Sequence, residues 1–346
     1  MSGGRVLRLG LVLGVLVALA GGGLYAWAWH WYRAPLERLP TATVIEIAPG
    51  EPLGSVAEGF ARQGLVAHPR IFSWFARRAG KASRIRAGEY TLEPGTSPEG
   101  LLEQLVEGRV ILHPVTLVEG WTVAEALAAI QGNAVLKRTL GGPVDAALMT
   151  RLGAAGLAPE GEFFPDTYLM PRGATDVDVL KLAHARLIER LTAAWATRQS
   201  DLPLASPYQA LVLASIIEKE TGAREERPRI AAVFLNRLRR GMRLQTDPTV
   251  IYGLGARYAG ALHKRDLLAD TPYNTYTRDG LPPTPIALPG AAALAAAVQP
   301  LQTADLYFVA TGLGDGRHEF SRTLAEHNAA VARYLQRLQA ARGGQR

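Results

Sequence analysis

The sequence predicts an α+β protein: a single N-terminal transmembrane helix, a small α/β module, and then a larger α+β domain. Three observations point there. Residues 9–29 form a run of 21 uncharged residues rich in Leu, Val, Gly and Ala, the length that crosses a bilayer as one helix. Between residues 41 and 110 short β-branched runs alternate with capped helix starts, as in a compact mixed module. Residues 206–222 read S-P-Y-Q-A-L-V-L-A-S-I-I-E-K-E-T-G, a capped helix with an apolar interior that ends on acids.

The N-terminus sets the compartment. Arg5 and Arg8 precede the apolar run, so residues 1–8 are expected in the cytoplasm and the rest on the outer side of the inner (cytoplasmic) membrane. Tyr25, Trp27, Trp29, Trp31 and Tyr32 follow as an aromatic cluster of the kind found at headgroup level. A cleaved signal peptide is the rival reading, since Ala18-Leu19-Ala20 and Ala26-Trp27-Ala28 satisfy the small-x-small rule,. Because the apolar run continues past the first of these sites, residues 9–29 are read as a retained anchor and residues 30–40 as a linker.

Composition narrows the partners. A chain of 346 residues holds two or three domains,. The absence of cysteine removes disulfides and thiolate metal sites,. A net charge of +7 favours anionic partners,. No basic run with interleaved aromatics speaks for nucleic acid.

Residues 41–47 alternate and read as a strand, closed by Pro49-Gly50. Helices follow from Ser55 and over residues 71–79, then a strand at 89–92 and a helix at 98–107 capped by Ser97. This strand, helix, helix, strand order over 41–110 resembles the LysM carbohydrate-binding module. Residues 111–346 form the larger domain. Its first conspicuous segment is E-G-E-F-F-P-D-T-Y at 160–168, where Gly and Pro break regular structure and three aromatics sit with Glu160, Glu162 and Asp166. Two readings stay open, a sugar-lining loop and a plug under the core. A long amphipathic helix is expected over 174–197.

In the 206–222 stretch Ser206 is the N-cap, Pro207 takes the first helical position, and Gln209 completes a capping box. From Leu211 to Ile217 only Ser215 is polar, so the helix is buried nearly all round. Glu218 then appears at its end among small neighbours, where desolvation raises a carboxyl's pKa and suits it to acid catalysis. Glu220 has Arg224 four residues on and is expected in a local ion pair. Downstream, Gln245, Asp247, Tyr273 and Asn274 lie in turn-rich segments dense in amide, hydroxyl and phenol groups, the donors a polysaccharide site needs. His318 and His327 lack metal-ligand spacing, so neither metal nor cofactor is expected.

With these stretches read, the chain resembles the YceG-like family of endolytic murein transglycosylases. The resemblance rests on E-G-E-F-F-P-D-T-Y (160–168), A-S-I-I-E-K-E-T (214–221), L-Q-T-D-P-T-V-I-Y-G (244–253), P-Y-N-T-Y (272–276), G-L-P-P-T-P-I (280–286) and the closing H-x-F-S with H-N. It implies an anchored lyase that cuts the MurNAc-β-1,4-GlcNAc bond of nascent peptidoglycan strands and leaves 1,6-anhydro-MurNAc ends, with Glu218 as the catalytic acid. Glu162, Asp166, Gln245, Asp247, Tyr273 and Asn274 are the candidate substrate-positioning residues. Implied partners are glycan strands, the membrane and peptidoglycan synthases. The alternative is a non-catalytic, membrane-tethered glycan-binding scaffold.

Overall fold

The computed structural model describes residues 3–36 and 39–343. The start of the expected cytoplasmic tail and part of the expected linker lie outside the described residues. The chain divides into two compact units, residues 1–113 with 170–173, and residues 114–169 with 174–346.

The first unit opens with α1 (Gly3–Arg33), long and apolar enough over Leu7–Arg33 to cross a membrane. Its last turns are not free. Ala28 and Tyr32 are buried, and the Tyr32 ring stacks on Phe75 at 4.2 Å. There follow β1 (Thr43–Ile47), α2 (Leu53–Arg62), α3 (Pro69–Arg78), β2 (Gly88–Leu92) and α4 (Pro98–Glu107), in the expected order. β1 and β2 pair antiparallel, with Thr43 opposite Leu92 and Ile47 opposite Gly88. Alternation sends Ile45 and Ile47 inward while Val44 stays exposed,. Helix α2 begins at Leu53 behind Pro52, so Ser55 lies inside it and caps nothing. Ser97 does cap α4, its hydroxyl accepting from Gly100 N–H, and the helix ends at left-handed Gly108,. Phe60, Phe72, Tyr90, Leu92, Leu101 and Leu105 fill the core between these elements.

The second unit carries most of the helices. β3 (Leu112–Thr116) pairs with β4 (Thr167–Pro171). Between them lie α5 (Val123–Gly132) and the short α6 (Ala146–Arg151). Next come α7 (Asp176–Ala196), α8 (Pro207–Glu220), α9 (Arg227–Arg239), α10 (Asp247–Leu254), α11 (Lys264–Leu268) and α12 (Ala291–Val298). A hairpin of β5 (Tyr307–Ala310) and β6 (His318–Ser321) precedes α13 (Leu324–Gly343).

Helix α8 is the centre of this unit. Every residue from Ala210 to Ile217 is buried, enclosed by α7, α9 and α12. The facing α12 reads A-A-A-L-A-A-A-V, and its small side chains let the two axes approach closely. Ser206 accepts from Gln209 N–H at 3.3 Å. The Gln209 side chain, however, takes the N–H of Ala205, so only half of the expected capping box forms.

Candidate active site

The end of α8 presents two carboxylates, Glu218 and Glu220. Residues two apart on a helix point roughly 200° away from each other, so the two acids enter different surroundings. Glu218 enters a closed one. Its Oε1 accepts from Arg227 Nη2 at 2.6 Å and its Oε2 from Gly290 N–H at 2.9 Å. The side chains of the pair are only 5% and 4% exposed. Burial raises the Glu218 carboxyl above its usual range, while the Gly290 N–H and Arg227 oppose the rise. Each oxygen thus accepts one hydrogen bond, and Glu218 joins the end of α8 to α9 and to the start of α12.

Glu220 enters a cleft of about 450 Å³ whose wall it shares with Arg237, Gln245, Asp247, Tyr276, Tyr307, His318 and His327. Its Oε2 accepts from Thr246 Oγ1 at 2.7 Å. Desolvation pushes this carboxyl up to about 7; Asp247 adds to the rise, while Thr246, His318 and Arg237 act against it. The expected ion pair with Arg224 does not form. Arg224 instead reaches toward Glu119 at 3.9 Å.

The loops that carry the rest of the cleft are cross-stapled. Gln245 N–H donates to Thr275 O at 3.1 Å, and Thr246 N–H to Thr275 Oγ1 at 3.1 Å. Gln245 sits at φ +48°, a left-handed conformation that costs a non-glycine residue roughly 1–2 kcal/mol. Tyr276 O–H donates to Asp247 Oδ1 at 2.6 Å. Arg237 is held from behind by neutral acceptors: its Nε donates to Leu306 O and its Nη1 to Leu244 O. Its guanidinium lies 5.1 Å from the Tyr307 ring centroid, and Tyr307 stacks on His327 at 5.1 Å. The cleft therefore combines one acid whose carboxyl is raised to about 7, a fixed cation and aromatic faces. Among the described residues no three His, Asp or Glu side chains gather as a metal site.

The YceG-like family matches residues 45–333 of this chain. The chain belongs to that family. It is 31% identical to the endolytic murein transglycosylase of Bacillus subtilis, with 87% of each chain aligned. It is 27% identical to the endolytic murein transglycosylase of Streptococcus pneumoniae, over 84% of this chain and 58% of the relative. A solved YceG-like protein from Listeria monocytogenes is similar over 83% of this chain and 98% of its own, at 26% identity and a TM-score of 0.48.

In this YceG-like chain the six expected positioning residues divide. Gln245 and Asp247 share the cleft with Glu220. Asn274 is fully buried, its Nδ2 donating to Leu267 O and Ala269 O and its Oδ1 accepting from Tyr276 N–H. These bonds shape the loop around it. Tyr273 lies outside the residues lining the cleft; its hydroxyl pairs with Thr284 Oγ1, and its ring meets Tyr252 at 4.8 Å. Glu162 is 2% exposed beside His184, whose Nδ1 bonds the Glu162 carbonyl, and burial pushes its carboxyl up to about 7. Asp166 is exposed, with its Oδ1 accepting from the N–H of Thr167. Of the two readings of residues 160–168, the structure takes the plug: Phe163, Phe164 and Tyr168 are buried. Gly161, at φ +80°, lets Pro285 pack where a side chain would stand.

The sequence reading missed Glu220, Arg237, Thr246, Tyr276 and Tyr307 as cleft residues. Tyr276 and Thr246 lie inside motifs already singled out. Arg237 and Tyr307 come from α9 and β5, whose convergence depends on tertiary packing.

Proposed function

We propose that this protein is a membrane-anchored endolytic lytic transglycosylase of nascent peptidoglycan, with Glu220 as its acid and base. The observation that carries this reading is the Glu220 carboxyl, raised to about 7 in a polar and aromatic cleft, in a chain similar to two enzymes named endolytic murein transglycosylase. Thr246 holds Oε2, so the transferable proton sits on Oε1. Protonated Glu220 donates it to the glycosidic oxygen as the bond from C1 of N-acetylmuramic acid breaks. The resulting carboxylate takes the proton of the C6 hydroxyl while that oxygen closes on C1, giving the 1,6-anhydro ring and regenerating the acid. A pKa near the working pH serves both halves. Arg237 and His318 stabilise the intermediate carboxylate.

Asp247 lines the same cleft, and a second carboxylate is what a hydrolase uses to activate water or attack C1. Its bond from Tyr276 favours a positioning role. Mass spectrometry of digested peptidoglycan tests the reading. Anhydro ends support it, water-added ends replace it with hydrolysis, and no new ends replace it with a scaffold. The length and apolarity of α1 support anchoring. The strand, helix, helix, strand order of β1, α2, α3 and β2 supports reading that module as LysM-like.

A further inference from the structure

Helix α3 shows two unlike faces. Phe72, Phe75 and Ala76 are buried in the module. The opposite stripe carries Arg70, Trp74, Arg77 and Arg78, spaced to lie together on a helix,. The helix holds no acid. Nearby ion pairs join Arg33 to Glu99 and Lys81 to Glu103; among the described residues no carboxylate pairs with the three arginines of α3. Trp74 is 46% exposed, with the Arg78 guanidinium 5.9 Å from its ring centroid. With the apolar face taken up by the module's own core, the outward stripe offers basic side chains and an exposed tryptophan, the groups that sit at an anionic headgroup layer.

This stripe borders the outer part of α1. The Tyr25 ring meets Trp74 edge-on at 6.3 Å, and Trp29 meets Phe75 at 5.7 Å. Between α1 and α3 runs a groove of about 340 Å³ walled by Gly21, Leu24, Ala28, Ile71 and Trp74, with Arg70 its one charged residue. One wall is the bilayer-length helix itself, so the groove opens onto hydrocarbon.

We propose that the α1–α3 groove binds one anionic phospholipid, with an acyl chain along its apolar walls and the phosphate on Arg70. The stripe of Arg70, Trp74 and Arg78 then seats the module in the headgroup layer. Charge complementarity and continuity with the apolar surface of α1 select this occupant. Tyr25 lies four residues inside the end of the uncharged run, so Trp74 sits about 6 Å inside that end at 1.5 Å per residue, the depth of an aromatic belt. The inference rests on α1 crossing the membrane as proposed above.

The test uses the full chain, purified in detergent with equal amounts of phosphatidylglycerol and phosphatidylcholine, and native mass spectrometry of the retained lipid. Wild type is expected to keep one phosphatidylglycerol in preference to phosphatidylcholine. Arg70→Gln is expected to lower that retention about fivefold, the equivalent of roughly 1 kcal/mol for one basic side chain at an anionic surface. A Cβ at Gly21 meets nothing within 4 Å, so Gly21→Leu fills the groove and abolishes retention while circular dichroism and glycan cleavage stay at wild-type values. Equal retention by wild type and both variants, no preference between the two lipids, or a polyprenyl lipid in their place overturns the proposal. Insertion into nanodiscs is scored separately. Insertion without lipid retention defeats the groove and leaves the anchor standing; failure to insert defeats both.

Discussion

Exchanging each acid of α8 for glutamine separates catalysis from support. Glu220→Gln keeps an acceptor for Thr246 but removes the proton donor, and loss of a general acid costs about 10²–10⁴ in rate. It also removes a pH-dependent cost. The folded carboxyl titrates at about 7 against an ordinary 4.5, so between those values the folded state holds a proton that the unfolded state has released. Wild-type stability therefore falls as pH rises through this window, by roughly 3 kcal/mol at about 1.4 kcal/mol per tenfold in proton affinity. The variant lacks that fall, so urea unfolding at pH 4 and pH 8 is expected to show the wild type losing more stability than Glu220→Gln by this order. Glu218→Gln behaves oppositely. It leaves Arg227 buried without a counter-charge, at a cost of about 3–5 kcal/mol, a fall in Tm on the order of 10 °C, and partial retention of cleavage in the fraction that folds. Wild-type cleavage by Glu220→Gln, or abolished cleavage by Glu218→Gln at unchanged Tm, refutes the assignment.

Asp247→Asn removes a like charge that raises the Glu220 carboxyl, so the alkaline limb of the pH–rate profile is expected to move to lower pH; a limb that stays put shows that the two acids do not interact. Asn274→Ala strips the carbonyls of Leu267 and Ala269 and the N–H of Tyr276 of their partner, with an expected loss of about 3 kcal/mol and a weaker cleft, checked by thermal melting and cleavage assay together. Gly161→Ala adds a Cβ 2.3 Å from Pro285 Cβ at φ +80°, whereas Gly153→Ala at φ +83° meets nothing within 4 Å. Both bear the left-handed cost of roughly 1–2 kcal/mol, so the excess loss of stability in Gly161→Ala measures the collision alone.

The apolar interior of α8 and its Ser206 cap are legible because burial and capping are written in local sequence. The choice between its two acids is not. Nothing within a turn of Glu218 reveals that Arg227, beyond the helix end, and Gly290, at the start of α12, will close on it. The pairing expected from spacing, Glu220 with Arg224, fails because α8 stops at Glu220; the i to i+4 rule holds only while the helix continues. For the same reason the aromatic segment 160–168 reads as sugar-lining by composition but packs inward. Composition does not tell a stacking face from a core face. Gln245 and Asp247, by contrast, reach the cleft from the turn before α10 and from that helix's first residue, where polar side chains have no core to fill.

The two acids depend on each other through the end of α8. A carboxyl kept near 7 by desolvation is a destabilising group, and it persists only if its surroundings cannot relax or admit water. Glu218 supplies that rigidity. By holding Arg227 and the Gly290 N–H at once, it fixes the end of α8 against two neighbouring helices, two residues before the acid. Glu220 is then left with one hydrogen bond from Thr246, itself tied through Thr275 to the loop of Tyr276. The ion pair that holds Glu218 also keeps Glu220 in place.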